Sequence, residues 1–212
     1  VNVHEISYCY MIRVIDNCGH RSPESNEGCS IVIRGQAINE KGTTPRYRMN
    51  LTWDNYIEWP SGVEFYELKR SVDTGSLQPI VRVNSPSVNY TDGNLDYDWG
   101  GYWYSVLAYE NEGKYNATSR SNDIYLIQPP EVYVPNAVSA NGDNLNDVFG
   151  WADVFVLDFE MRIYNRWGEQ VFETKDKNAK WTGEYKKNNL KYSNVYFWIV
   201  TYSGWDGNRY ND

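Results

Sequence analysis

Apolar and polar residues alternate with a period of two along most of this chain, the spacing that sets successive side chains on opposite faces of a strand. Tyr8-Cys9-Tyr10-Met11-Ile12-Arg13-Val14-Ile15-Asp16 predicts one strand, and residues 29–33 its antiparallel return across the polar loop between them. Further strands are predicted at residues 49–53, 65–70, 80–83, 102–109 and 123–127, then at 132–138, 159–168 and 195–202. Phe159, Met161 and Ile163 share one side of their strand and Glu160 and Arg162 the other, the mark of a half-solvated strand. Val195-Tyr196-Phe197-Trp198-Ile199-Val200-Thr201-Tyr202 is apolar on both sides, which predicts a central strand covered on both faces. Gly, Asn, Asp, Ser and Pro separate these short runs and no helix is predicted. The fold class is therefore all-β: tandem antiparallel sandwiches followed by a C-terminal sandwich.

An isolated hairpin is marginal in water. Residues 1–36 are accordingly expected to be the C-terminal hairpin of a sandwich whose earlier strands lie upstream, and the chain to be a fragment. Residues 37–129 form a second unit, and Pro129-Pro130 marks its end, since neither residue offers a backbone N–H to a sheet ladder. Residues 130–212 form a third. The run from Tyr102 to Glu110, closed by Ser119-Arg120-Ser121-Asn122, repeats the run from Tyr8 to Asp16, closed by Ser22-Pro23-Glu24-Ser25-Asn26. With Trp53 on an early strand and Tyr104 on a late one, residues 37–129 and, in part, 1–36 resemble fibronectin type III-like modules. These aromatics are expected to be sandwich core.

Four blocks in the last unit carry a second resemblance. They are Val134-Pro135-Asn136-Ala137 with Asn141-Gly142-Asp143-Asn144-Leu145-Asn146-Asp147-Val148-Phe149, then Ile163-Tyr164-Asn165-Arg166-Trp167-Gly168-Glu169-Gln170-Val171-Phe172, then Trp181-Thr182-Gly183-Glu184-Tyr185, then Val195-Tyr196-Phe197-Trp198. In this order they resemble the gliding motility-associated, type B C-terminal domain that Bacteroidetes proteins use for type IX secretion. The chain departs from that pattern at Ala140, where the family usually has Pro, at Asn144 (Gly) and at Thr182 (Asp). Asn tolerates the left-handed region, so Asn144 is expected to keep its turn. The family pattern also adds a final strand with Lys or Arg near the terminus, which is expected to be lacking here after the Asp206-Gly207 turn. The resemblance implies export to the cell surface at the outer membrane, with the type IX translocon and a PorP/SprF-type barrel protein as partners and gliding or adhesion as the role. Tyr164, Arg166 and Trp167 are the candidate partner contacts, Trp167 foremost, although a turn Trp more commonly caps the core.

Composition removes several classes. The net charge of -8 and the absence of a Lys/Arg cluster argue against a nucleic-acid partner. No run approaches the ~20 apolar residues that span a bilayer, and Val1-Asn2-Val3-His4-Glu5 has no signal-peptide character. His4 and His20 are the only histidines, both in or beside the N-terminal hairpin, so no Ser-His-Asp, Cys-His or zinc set can be assembled and no enzymatic activity is expected.

Asn141, Asp143, Asn146 and Asp147 space side-chain oxygens closely, the kind of supply that Ca²⁺ needs for its six to eight ligands, although the distal bidentate Glu of an EF-hand is missing. The same residues suit Asx turns, in which each side chain bonds its own backbone. Trp99, Trp103, Trp167 and Trp205 would serve as a sugar-stacking platform in an alternative reading, a carbohydrate-binding module appended to an extracellular polysaccharide-degrading enzyme; packing is their commoner use. Three cysteines within the first 29 residues imply an oxidising compartment. Cys9 and Cys29 are expected to pair across the hairpin, with Cys18–Cys29 as the alternative.

Overall fold

The computed structural model describes residues 5–41, 46–72, 75–113, 116–139, 143, 145–185, 188–189 and 195–212. Asn141 of the proposed calcium loop lies outside these residues, as do Ala140, Asn144 and His4. Among the described residues every regular element is a strand. The chain divides into two compact units, 1–95 with 101–126 and 96–100 with 127–212.

The first unit holds β1 (Cys9–Tyr10), β2 (Gly28–Cys29), β3 (Ile33–Glu40), β4 (Arg46–Trp53), β5 (Val63–Val72), β6 (Gln78–Asn84), β7 (Asn89–Asp92), β8 (Gly101–Glu110), β9 (Thr118–Arg120) and β10 (Ile124–Ile127). One sheet has the order β3-β4-β7 and the other β10-β8-β5-β6, with β9 also on β8. Alternation decides which side chains are covered. Tyr47, Met49, Leu51 and Trp53 of β4, Tyr66 and Leu68 of β5, and Tyr102, Tyr104, Val106 and Ala108 of β8 are all buried. Each large side chain so covered contributes about 1.5–3 kcal/mol. Trp53 meets Tyr66 with ring centroids 5.6 Å apart, which places a contact between the two sheets.

A polar triad also sits in this core. Asp92, 2% exposed, accepts hydrogen bonds from the Tyr104 hydroxyl at 2.9 Å and from Arg70 at 2.8 Å. Burial first, then the adjacent Asp92 carboxylate, pushes the Tyr104 phenol far above the ordinary tyrosine range.

Two predicted strands differ from the observed ones. The run from Tyr8 to Asp16 forms a regular ladder only over Cys9–Tyr10, with one further bridge between Ile15 and Arg21. Serine hydroxyls take the place of the missing ladder carbonyls: Ser30, Ser25 and Ser22 accept the N–H groups of Tyr8, Ile12 and Val14 at 3.0, 2.8 and 3.0 Å. The whole of β3 beyond Ile33 was not predicted, because Arg34-Gly35-Gln36 interrupts its alternation. Gly35 lets its neighbours pack closely, since a Cβ would stand 2.7 Å from a Leu126 methyl, 2.8 Å from a Leu51 methyl and 3.0 Å from the Asn50 carbonyl, and these would have to shift.

The second unit holds β11 (Glu131–Tyr133), β12 (Ala152–Val154), β13 (Val156–Asn165), β14 (Gln170–Thr174), β15 (Glu184–Tyr185), β16 (Asn188–Asn189), β17 (Tyr196–Gly204) and β18 (Arg209–Asn211). Its main sheet has the order β14-β13-β17-β18. Phe149, Val156, Phe159, Met161, Ile163, Trp181, Val200 and Tyr202 form the core, and Val132, Val134, Val138, Phe172 and Trp198 pack on it. Trp181 lies against Phe149, Phe172 and Tyr196 at centroid distances of 6.5, 6.5 and 4.8 Å.

Residues 96–100 group with this unit although they lie between β7 and β8, so the boundary does not fall at Pro129-Pro130 alone. Trp99 packs on Trp205 at 4.8 Å, Tyr97 meets Phe155 edge-on at 5.7 Å, and the Tyr97 carbonyl accepts the Phe155 N–H at 2.6 Å. Phe155 is fully buried at φ +58°, a left-handed conformation that costs a bulky residue energy and persists only where its surroundings hold it.

A final strand is present: β18 carries Arg209, pairs antiparallel with β17, and is extended by mutual Val200–Asp212 backbone bonds of 3.0 Å. The expectation that β17 is covered on both faces fails. β17 is central, between β13 and β18, but Phe197 and Ile199 are 60% and 49% exposed while Val200 and Tyr202 are buried. A sheet that meets a core on one side needs only one apolar stripe, so the second stripe is surface.

Candidate functional site

The uncovered face of the second unit gathers the residues that sequence singled out as partner contacts. Register pairs Tyr164 with Phe197, Arg162 with Ile199 and Glu160 with Thr201 between β13 and β17, and directly paired side chains share a face. Tyr164, Phe197 and Ile199 thus form an apolar strip. Beside it Arg162 donates to Glu160 at 2.7 Å and to Glu173 on β14 at 3.2 Å. The hydrogen bond to Arg162 holds the Glu173 carboxyl below its usual range, and the same bond holds the Arg162 guanidinium above its own.

The β13–β14 turn lies at one end of this face, because Asn165 closes both the β13–β17 pairing and the turn. The Asn165 side-chain oxygen accepts the N–H groups of Trp167 and Glu169, each at 3.0 Å, and its carbonyl accepts the Gly168 N–H at 3.0 Å. Gly168 stands at φ +81°, which its lack of a Cβ permits. The turn is stiff, and it presents Trp167 outward at 73% exposure. The Arg166 guanidinium lies over the Trp167 ring, 4.2 Å from its centroid, and keeps the indole in place without burying it. Trp167 is therefore not the cap of the core. Trp181 and Phe149 occupy the core instead. Phe197 and Ile199 were missed as candidate contacts, since a run apolar on both sides was assigned to the interior.

The other proposed sites are placed as follows. Cys9 and Cys29 are directly opposed in register, with sulfurs 2.06 Å apart and Cα atoms 3.9 Å apart, while Cys18 is a free, exposed thiol. Glu27 lies near that pair, but the two sulfurs are bonded to each other and so occupied. In the acidic loop, the Asp143 carboxylate accepts the Leu145 N–H at 2.8 Å, the Asn146 carbonyl accepts the Ser139 N–H at 2.8 Å, and Asn146 takes φ +55°. Asp143 thus performs an Asx turn. Of the aromatics considered for sugar stacking, Trp99 and Trp205 pack on each other, Trp103 packs on Tyr125 at 4.9 Å, and Trp167 carries Arg166. His20 pairs with Asp16 at 2.9 Å in an exposed turn, and this bond holds the Asp16 carboxyl below its usual range.

Antiparallel sandwiches in series, the last ending in a sheet with an apolar outer strip, define a modular all-β protein. Residues 132–211 match the family model of the CHU_C Type IX secretion signal domain, the family that the four sequence blocks resemble. The matched stretch lies in the second unit, and the match supports targeting to the type IX secretion machinery. No curated protein matches the sequence. Among solved structures, pectate lyase PelI from Erwinia chrysanthemi, in complex with tetragalacturonic acid, is 15% identical over 43% of this chain and 28% of its own, with a TM-score of 0.31. Pectate lyase Pel3 from Pectobacterium carotovorum is 17% identical over 48% of this chain and 30% of its own, with a TM-score of 0.32. The FN1–FN3 domains of chicken CNTN1 are 15% identical over 96% of this chain and 76% of theirs, with a TM-score of 0.30. The chain spans less than a third of either pectate lyase.

Proposed function

We propose that this chain is the C-terminal region of a large secreted cell-surface protein of the gliding or adhesion type. Its last unit is read by the type IX translocon and held at the outer membrane by a PorP/SprF-like barrel protein, and its sandwich units serve as non-catalytic spacers. The observation that carries this reading is the family match over residues 132–211, a stretch that lies within one compact unit rather than forming a linear tag. The outer strip supports recognition of a folded surface. Trp167, Tyr164 and Phe197 are the aromatic contacts we assign to the partner, because a rigid turn and a rigid sheet lose little freedom on binding.

The test fuses the chain to a fluorescent reporter in a type IX-competent bacterium. Export of the reporter to the surface is expected, and a reporter retained in the periplasm overturns the reading. Trp167→Ala, with folding verified by its melting curve, is expected to cut export several-fold. Normal export of that folded variant removes Trp167 from the recognition surface and leaves the export role standing.

A further inference from the structure

The structure contains the same hairpin twice, once inside a finished sandwich and once without one. The run from Tyr102 to Gly113, which begins in β8, aligns without a gap with the run from Tyr8 to Gly19, sharing Tyr102 with Tyr8, Tyr104 with Tyr10, Asn111 with Asn17 and Gly113 with Gly19. The hydrogen bonding matches too. Ser121 exchanges two bonds with Val106, its N–H donating to the carbonyl and its hydroxyl accepting the N–H, both at 2.9 Å, while its hydroxyl donates to the Asn122 carbonyl at 2.7 Å. Ser25 makes the same three bonds with Ile12 and Asn26, at 2.9, 2.8 and 2.8 Å. The cross-strand neighbours Trp103 and Tyr125 stand where the other hairpin has the disulfide-bonded Cys9 and Cys29.

What differs is the cover. Tyr104, Val106 and Ala108 are fully buried beneath the facing sheet, whereas their counterparts Tyr10, Ile12 and Val14 are 61%, 69% and 65% exposed. Asn122 grips the first strand of its sandwich: its side-chain oxygen accepts the Ile33 N–H at 2.9 Å and its amide donates to the Ile33 carbonyl at 3.4 Å. Asn26, its counterpart, is exposed, and among the described residues its side-chain amide donates only to the adjacent Glu27 carbonyl, at 3.4 Å.

We propose that residues 8–29 are the closing hairpin of a second sandwich, supplied in cis by the polypeptide ahead of residue 5. That sandwich lays an alternating apolar strand, of the kind seen in β4, over Tyr10, Ile12 and Val14, and Asn26 clamps the backbone of its first strand as Asn122 clamps Ile33. In the sandwich built on β3–β10 a facing β-sheet of the same polypeptide covers the matching stripe, and a sheet of that kind fits Tyr10, Ile12 and Val14.

The test is amide hydrogen exchange on this chain and on the natural polypeptide extended upstream by one sandwich of roughly 100 residues. The Ile12 and Val14 amides are expected to slow by about 100-fold or more in the longer polypeptide, while those of Val106 and Ala108 stay as they are. Asn26→Ala and Ile12→Asp are then expected to lower the melting temperature of the added sandwich alone, and Asn122→Ala that of the sandwich built on β3–β10 alone. Unchanged exchange at Ile12 and Val14 overturns the proposal. So does an added sandwich whose melting ignores Ile12→Asp. Protection that rises with the concentration of the shorter chain overturns it as well, by assigning the stripe to a second copy.

Discussion

Tyr104 and Tyr202 place the same chemistry in the two units: a buried phenol hydroxyl bonded to a carboxylate, Asp92 at 2.9 Å in one and Asp212 at 3.2 Å in the other. Burial, and then the neighbouring carboxylate, raises both, and pushes Tyr202 up to about 12. Below the ordinary tyrosine range near 10 both phenols are protonated in the folded and unfolded chain, and their full contribution is present. As pH rises from about 10 towards 12 the unfolded chain ionises first, so stability falls through that window. A melting series across this range is expected to show the loss, and Tyr202→Phe to blunt it in the second unit. At lower pH, Tyr104→Phe is expected to cost the first unit about 1–3 kcal/mol, since it leaves a buried carboxylate short of one donor.

Side chains that cap their own backbone recur at Asp16, Asp96, Asn165, Asp176 and Asp206, each accepting an N–H two residues on at 2.9–3.1 Å. Asp143 does the same for Leu145 at 2.8 Å. Asp143 has an Asx-turn role that needs no ion. Melting curves with excess Ca²⁺ and with chelator are therefore expected to superimpose. A chelator-induced drop that Asp143→Ala abolishes would assign the ion to Asp143 and Asp147.

At the scale of the element, β17 separates what a core requires from what a surface offers. Val200→Ala is expected to destabilise the second unit by about 1–3 kcal/mol and Trp181→Ala by about 3–5, because both vacate buried volume. Phe197→Ser and Ile199→Thr on the open face are expected to stay within about 1 kcal/mol in chemical denaturation. If those two variants fold normally yet lower export, the strip acts in recognition; if they unfold the unit, the strip is structural.

The same strand shows how far sequence could be read. Period-two alternation places a strand but does not say which apolar face is covered, so a run apolar on both sides was read as interior and its exposed half was missed. β3 was illegible beyond Ile33 for the opposite reason. Arg34-Gly35-Gln36 looks like a break until the Leu51 and Leu126 methyls, distant in sequence, are seen packed close over Gly35. The family blocks were legible as a set, but their roles were not. Val134, Phe149 and Trp181 serve the core, whereas Trp167 projects into solvent.

At the scale of the molecule, the pattern of prolines predicts a boundary at Pro129-Pro130, and the unit that holds residues 127–212 also takes in residues 96–100. No local signal could reveal this, because Trp99 and Trp205 are neighbours only once the chain has folded. Trp99→Ala is expected to destabilise the second unit by about 1–3 kcal/mol, although the residue lies within the sequence of the first. Its calorimetric trace settles the matter, since a shift confined to the first transition refutes the assignment.

That borrowed segment changes what an export signal of this design can report. A signal confined to its own stretch of chain certifies only itself, whatever happened to the passenger ahead of it. Here the seat of Trp205 and the strained Phe155 is finished by residues that are delivered between β7 and β8 of the preceding sandwich. On the proposed export role, a chain truncated or miswound over residues 96–100 would bring an unfinished second unit to the translocon.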